Sequence, residues 1–280
     1  SGAFMISRLS KLSWLTPRYA VSTGNQADLT IPDFVKYLAR DPEVKTFAIY
    51  SEGFKDADGL ELAKAVREVV AQGRDVVFYK AGRTAEGMSA TSGHTASLAG
   101  DYDVCAAVLE QAGAIVARSF DEYLDVLRIS ALMGNKEWKG RRLAALSNAG
   151  YESVGISDAL RGEGWDLRLT KFGAASRERL QAALVKGKLD SLVDVRNPLD
   201  LTPMADDETH EEAIRAFLAD EEVDLVLCAT VPLTARMATL GGDAPEEQSI
   251  RSPGSLVNRL ARVMKEASKP VVGSIDSGYL

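Results

Sequence analysis

Thr46-Phe47-Ala48-Ile49-Tyr50, a helical stretch over 60–71, then Asp75-Val76-Val77-Phe78-Tyr79: this succession decides the fold. Each pentapeptide is a short apolar run rich in aromatic and β-branched residues, the pattern of a buried parallel strand. Between them, apolar residues recur at Leu60, Leu62, Ala63, Val66, Val69 and Val70, close to the 3.6-residue period of a helix. Upstream, Tyr19-Ala20-Val21-Ser22 reads as another strand and 33–40 as another helix. Strand–helix alternation of this kind predicts a doubly wound α/β layer.

The pattern pauses at the polar, glycine-bounded stretch Gly134-Asn135-Lys136-Glu137-Trp138-Lys139-Gly140 and then resumes. Arg142-Leu143-Ala144-Ala145-Leu146 reads as a strand, 153–161 as a helix, 223–228 as a strand, 256–266 as a helix and Val271-Val272 as a last strand. Two consecutive doubly wound, parallel-sheet α/β domains are expected, over 1–137 and 138–280, with no fixed-period repeat. The chain opens at Ser1-Gly2-Ala3 directly on a helix and stops soon after its last strand, so further sequence is expected on both sides.

With 46% hydrophobic and 26% charged residues, the 280-residue chain has the composition of a soluble globular protein with an ample core. A net charge of −7 argues against nucleic acid or an anionic membrane as the main partner, while leaving room for a local phosphate site. No apolar run approaches the roughly 20 residues of a membrane span, and no signal segment is read ahead of the first helix. Cys105 and Cys228 stand apart in apolar runs and read as small buried hydrophobes. Without CxxC or a His/Cys cluster, a reduced, metal-free, cytoplasmic protein is expected.

Two histidines are present. His210 lies in Asp206-Asp207-Glu208-Thr209-His210-Glu211-Glu212, an acidic helix start, and reads as a solvated face residue. His94 sits differently, in Ser89-Ala90-Thr91-Ser92-Gly93-His94-Thr95-Ala96-Ser97-Leu98-Ala99-Gly100, behind the basic glycine loop Lys80-Ala81-Gly82-Arg83-Thr84. The whole of 80–100 reads as a loop, in which an imidazole among small residues suits nucleophilic or anionic chemistry. Other Gly/Ser/Thr/Asn-rich loops follow strands: 22–28, Glu52-Gly53, Ser147-Asn148-Ala149-Gly150 and Thr230-Val231-Pro232. Each alone is an ordinary βα turn; together with His94 they point to a phosphate site at helix N-termini. Glu52 is either a solvated loop carboxylate or an orienting partner that fixes the His94 tautomer. Neither a Walker A motif nor GxGxxG stands at a strand–helix turn, so no ATP site is visible.

The glycine loop and the segment around His94 resemble the phosphohistidine segment of NDP-forming acyl-CoA synthetases, the ADP-forming acetate–CoA ligases related to succinyl-CoA synthetase. Ser1-Gly2-Ala3, Gly24-Asn25-Gln26-Ala27-Asp28, Tyr50-Ser51-Glu52-Gly53, Ser147-Asn148-Ala149-Gly150 and Asn197-Pro198-Leu199-Asp200-Leu201-Thr202-Pro203 follow in the family's order. The resemblance implies two flavodoxin-like domains, with His94 as the phosphorylated nucleophile and Glu52 as its orienting carboxylate. It implies conversion of acyl-CoA, phosphate and NDP to carboxylic acid, CoA and NTP through an acyl phosphate. Two helix N-termini would cradle the phosphoryl group, one at Ser1-Gly2-Ala3 and one near Thr230-Val231-Pro232, with Gly93, Thr95, Asn148, Ala149 and Gly150 close by. CoA and Mg-ATP/ADP would bind mainly on a CoA-binding domain and an ATP-grasp domain outside this chain, in an oligomer.

The chain departs from the family at Tyr151, where a second glycine is usual, and at Ala96-Ser97, where Gly-Ala is usual. Tyr151 implies a changed acyl pocket. A ligand-sensing regulatory module of the kind found in some protein acetyltransferases is the main rival, and a flavin-binding protein a more distant one.

Overall fold

The computed structural model describes residues 7, 9, 11–12, 14–94, 101–134, 136, 138–162, 165–232 and 234–276, the side chains of 90–94 and 165 excepted. The chain divides into two compact units between residues 135 and 136.

In the first unit, α1 (Ile31–Leu38) starts where the Asp33 carboxylate accepts the Thr30 amide at 2.9 Å. Strand β1 (Thr46–Ser51), helix α2 (Asp58–Ala71) and strand β2 (Asp75–Lys80) follow as the periodicity predicts. Helix α3 (Ala85–His94), helix α4 (Tyr102–Gln111), strand β3 (Ile115–Ala117) and helix α5 (Phe120–Met133) complete the unit. The sheet order is β1-β2-β3, all parallel, with Thr46 opposite Asp75 and Ser51 opposite Lys80. One face packs on α2 and α4 through Phe47, Ile49, Leu62, Val66, Phe78 and Leu109; the other packs Val77 and Ala117 on Tyr123 of α5. Leu62, Val66 and Val69 have no exposed surface, and burial of such side chains stabilises by about 1.5–3 kcal/mol each at most.

Residues 19–22 do not form the strand that their composition suggested. Tyr19 and Val21 are exposed, and Arg18 and Tyr19 instead bond the Asp41 carboxylate at 2.7 and 2.8 Å. Three apolar residues in so short a run cannot bury both faces of a strand.

The second unit contains β4 (Arg142–Ser147), α6 (Gly150–Asp158), an antiparallel pair β5 (Arg161–Gly162) and β6 (Trp165–Asp166), and β7 (Arg168–Leu169). Then come α7 (Ala174–Lys186), β8 (Leu199–Asp200), α8 (Asp207–Ala219), β9 (Leu225–Thr230), α9 (Leu256–Glu266) and β10 (Val271–Ile275). Its main sheet is parallel in the order β10-β9-β4, and β4 uses its far edge twice, pairing β7 at Arg142–Leu143 and β8 at Leu146–Ser147. The Asn197 side chain fills the gap between those pairings. It accepts from the Ala145 amide at 3.0 Å and donates to the Leu143 and Thr170 carbonyls at 2.7 and 3.0 Å. A side-chain amide thus continues the ladder where no strand lies, as buried backbone groups require. Among the described residues, no helix is long and apolar enough to cross a membrane.

Candidate functional site

Ligands of open α/β sheets sit at the carboxyl ends of the strands, and of the first unit's candidate residues the structure places Glu52 there. Glu52 is the first residue beyond β1. The β1–β2 ladder runs out beside it, with the Ala81 amide donating to the Ser51 carbonyl at 2.9 Å. The half-buried Glu52 carboxylate accepts from the Tyr50 hydroxyl at 3.4 Å. Burial pushes the Tyr50 phenol up to about 12, and the negative charge of Glu52 adds to the effect. The Glu52–Gly53 turn is held by side chains: Ser51 and Gln26 donate to the Gly53 carbonyl at 3.0 and 3.1 Å, and Lys80 donates to the Glu52 carbonyl at 3.5 Å.

The expected loop over 80–100 is helical for much of its length, because α3 occupies Ala85–His94. Thr84 caps it, its hydroxyl accepting from the Gly87 amide at 3.1 Å. Gly87 permits the first turn to close on the glycine loop, since a Cβ there would lie 3.3 Å from Gly82 Cα. His94 ends this helix one residue after Gly93; their side-chain environment, and the whole of Ser1, Gly2, Ala3 and Thr95, lie outside the described residues.

Lys80 is the residue of this edge that composition alone does not flag. It is 1% exposed, and its ammonium donates to the Ala81 carbonyl at 3.2 Å as well as to Glu52. Desolvation lowers its pKa from the ordinary lysine value, against the opposing pull of Cys105 and Asp101. A signal was available: Val76, Phe78 and Lys80 alternate along β2, so Lys80 shares the buried face of its apolar neighbours.

In the second unit the structure brings Asn148, Ala149, Gly150, Thr230 and Val231 together. Asn148, 1% exposed, donates to the Val231 carbonyl at 2.9 Å and accepts from the Val231 amide at 2.8 Å. Thr230 is the buried last residue of β9. Ala149 precedes α6 and offers its first turn no side-chain acceptor. Such a start leaves amide groups able to meet an anion. Gly150 lets Asp200 approach, as a Cβ would lie 3.1 Å from Asp200 Oδ2. Tyr151 is exposed, and its hydroxyl donates to Asp276 at 2.6 Å.

The helix expected near Thr230-Val231-Pro232 does not form. Among the described residues, only a short 3-10 turn (Glu246–Gln248) precedes α9 at Leu256. Pro232, Pro245, Pro253 and the Gly241-Gly242 pair interrupt the segment between them. The helix start beside Val231 is that of α6, which begins at Gly150 rather than near Ser153.

His210 is corrected from a solvated residue to a fully buried one, in the first turn of α8. Its Nδ1 lies 2.7 Å from the Asp206 carbonyl, and no described residue bonds Nε2. Burial holds the imidazole pKa below its ordinary value, so the ring is a neutral core group. Cys228 is buried, with its thiol pushed up to about 12 by desolvation, whereas Cys105 is half-buried rather than buried. A surface cavity of about 310 Å³, lined by Arg215, Leu218, Val263, Glu266 and Lys269, lies where α8 and α9 lead into β9 and β10. That is the amino edge of the sheet, away from the candidate residues of the second unit.

Residues 1–130 match the succinyl-CoA ligase like flavodoxin domain. The chain is 31% identical over 263 residues to the alpha subunit of ADP-forming acetate–CoA ligase II of Pyrococcus furiosus, covering 93% of this chain and 52% of that protein. It is 34% identical over 239 residues to ADP-forming acetate–CoA ligase I of Archaeoglobus fulgidus, covering 85% of this chain and 33% of that protein. It therefore spans about half the length of its relatives or less. In fold it resembles the dinucleotide-forming acetyl-coenzyme A synthetase 1 of Ca. Korarchaeum cryptofilum, solved with phosphate and ADP, with a TM-score of 0.73 and 24% identity over 91% of this chain and 50% of that one. Residues 1–130 are thus a succinyl-CoA ligase like flavodoxin domain, and over most of its length the chain is a relative of the ADP-forming acetate–CoA ligases.

Proposed function

We propose that this chain is the phosphohistidine-bearing core of an NDP-forming acyl-CoA ligase. The observation that carries the reading is similarity to an ADP-forming acetate–CoA ligase subunit over 93% of the chain. In the reaction, phosphate displaces CoA from an acyl-CoA, giving an acyl phosphate and free CoA. A nitrogen of His94 then attacks phosphorus and the P–O bond to the acyl group breaks, releasing the carboxylate. Phosphohistidine passes its phosphoryl group to NDP, and every step can run in reverse.

Glu52 orients the His94 imidazole and offsets positive charge on the ring as it becomes phosphorylated. Its place at the carboxyl edge of β1, on a turn held by three side-chain donors, supports that role. Gly93 and Thr95 flank the nucleophile, and Ser1, Gly2 and Ala3 bind the phosphoryl group. Asn148, Ala149, Gly150, Thr230 and Val231 contact phosphate or the acyl group; the α6 start without a side-chain cap supports an anion there. CoA and Mg-ATP/ADP bind mainly on CoA-binding and ATP-grasp domains, in the same polypeptide or a partner subunit, within a cytoplasmic oligomer.

The test is phosphohistidine formation in the longest parent polypeptide or with its ATP-grasp partner. Mg-ATP should leave an acid-labile, base-stable phosphate mapping to His94, and His94→Asn should abolish it without unfolding the protein. Glu52→Gln should slow labelling by about ten- to a hundredfold, as loss of an orienting partner does. No label from an ATP-grasp domain shown to bind nucleotide would favour a ligand-sensing module instead.

A further inference from the structure

We infer that Lys80 is a positioning residue for Glu52, its buried ammonium tying together the two turns that lead to the proposed catalytic groups; this rests on the function proposed above. The sequence places a cation on the core-facing row Val76, Phe78, Lys80, and the fold buries it to 1% exposure. Among the described residues its ammonium meets no carboxylate in an ion pair; its partners are two carbonyls, Glu52 at 3.5 Å and Ala81 at 3.2 Å. A buried ammonium with no carboxylate in contact opposes folding, whereas a methionine of similar shape would fill the space without that penalty. Packing alone therefore gives no reason for a lysine here.

The two carbonyls do. Glu52 opens the turn after β1, and Ala81 opens the turn after β2 that leads through Thr84 into α3, the helix ending at His94. A single ammonium spans both. The same turn is fixed at its next carbonyl, Gly53, by Ser51 and Gln26, which are 2% and 8% exposed. Three buried donors from three segments thus converge on two successive carbonyls of the turn carrying Glu52. Precise placement of an orienting group depends on locked neighbours of this kind. Unlike Ser51 and Gln26, Lys80 also links that turn to the approach of α3.

The experiment is a double-mutant cycle in the complete polypeptide with its ATP-grasp partner, reading the rate of His94 labelling from Mg-ATP. Lys80→Met should lower the rate at saturating nucleotide by about ten- to a hundredfold with the nucleotide KM unchanged, and Lys80→Arg should recover part of it. In the Glu52→Gln background, Lys80→Met should cost less than about threefold more, because it acts through Glu52. A wild-type rate in Lys80→Met, or the same loss in both backgrounds, overturns the inference. If Lys80→Met fails to fold by thermal unfolding, Lys80→Arg carries the same cycle with a smaller expected loss. A wild-type protein that takes no label at His94 overturns the proposed function and this inference with it. Label in the wild type that ignores Lys80 overturns the inference alone.

Discussion

His210 shows how far a single side chain's role depends on its surroundings. Desolvation depresses its folded pKa, outweighing the Asp206 carbonyl and the charges of Asp207 and Asp206, which act the other way. In the unfolded chain the ring takes a proton near pH 6.5. Between that value and the lower folded pKa the unfolded state holds a proton that the folded state lacks, so stability falls as pH falls, by up to about 1.4 kcal/mol per pH unit. Urea unfolding between pH 5 and 7.5 should show this slope in the wild type and lose it in His210→Leu; equal slopes would mean that the ring is protonated in the fold. Neither the burial of His210 nor that of Lys80 follows from residue type. The period-2 row in β2 made Lys80 readable, but the acidic start Asp206-Asp207-Glu208 hid the fact that His210 faces the core with Ala213, Ile214 and Phe217.

At the scale of elements, β4 is the organiser of the second unit. Its amino half pairs β7, its carboxyl half pairs β8, and Asn197 closes the gap. Asn148, one residue past the strand end, ties β4 to the exit of β9 through both backbone groups of Val231. Asn148→Ala would leave an amide and a carbonyl without these partners, at about 1–3 kcal/mol in all since Val231 is only half-buried. A fall of about 3–10 °C in the melting temperature of residues 136–280 is expected, by calorimetry; a shift below about 1 °C would show that water replaces both bonds. The core strands and amphipathic helices were legible because their apolar spacing is written locally. The short pairs β7 and β8 were not, since two residues carry no period and exist as strands only because β4 offers them an edge.

The whole molecule consists of two units, each with its own apolar cluster: Leu62, Val66, Phe78 and neighbours in the first, Leu146, Leu184, Phe217, Val226 and neighbours in the second. A unit with a complete core and a five-stranded sheet should fold alone. Residues 136–280 produced separately should give one cooperative thermal transition by circular dichroism. A broad, non-cooperative loss of helix would show that the second unit depends on the first.

By itself the sequence determined the α/β alternation, the helices over the central apolar stretches and the likeness to the ADP-forming acetate–CoA ligases. Burial on both faces of a strand and one face of a helix leaves its period in the residues themselves. Only the tertiary structure decided that Gln26, Ser51 and Lys80 converge on the Glu52 turn, that Asn148 meets Val231, and that the helix start beside Val231 is that of α6. These contacts are hydrogen bonds from side chains to backbone groups as far as 83 residues away. A backbone carbonyl is the same in every residue, so nothing local marks which one a distant donor will find.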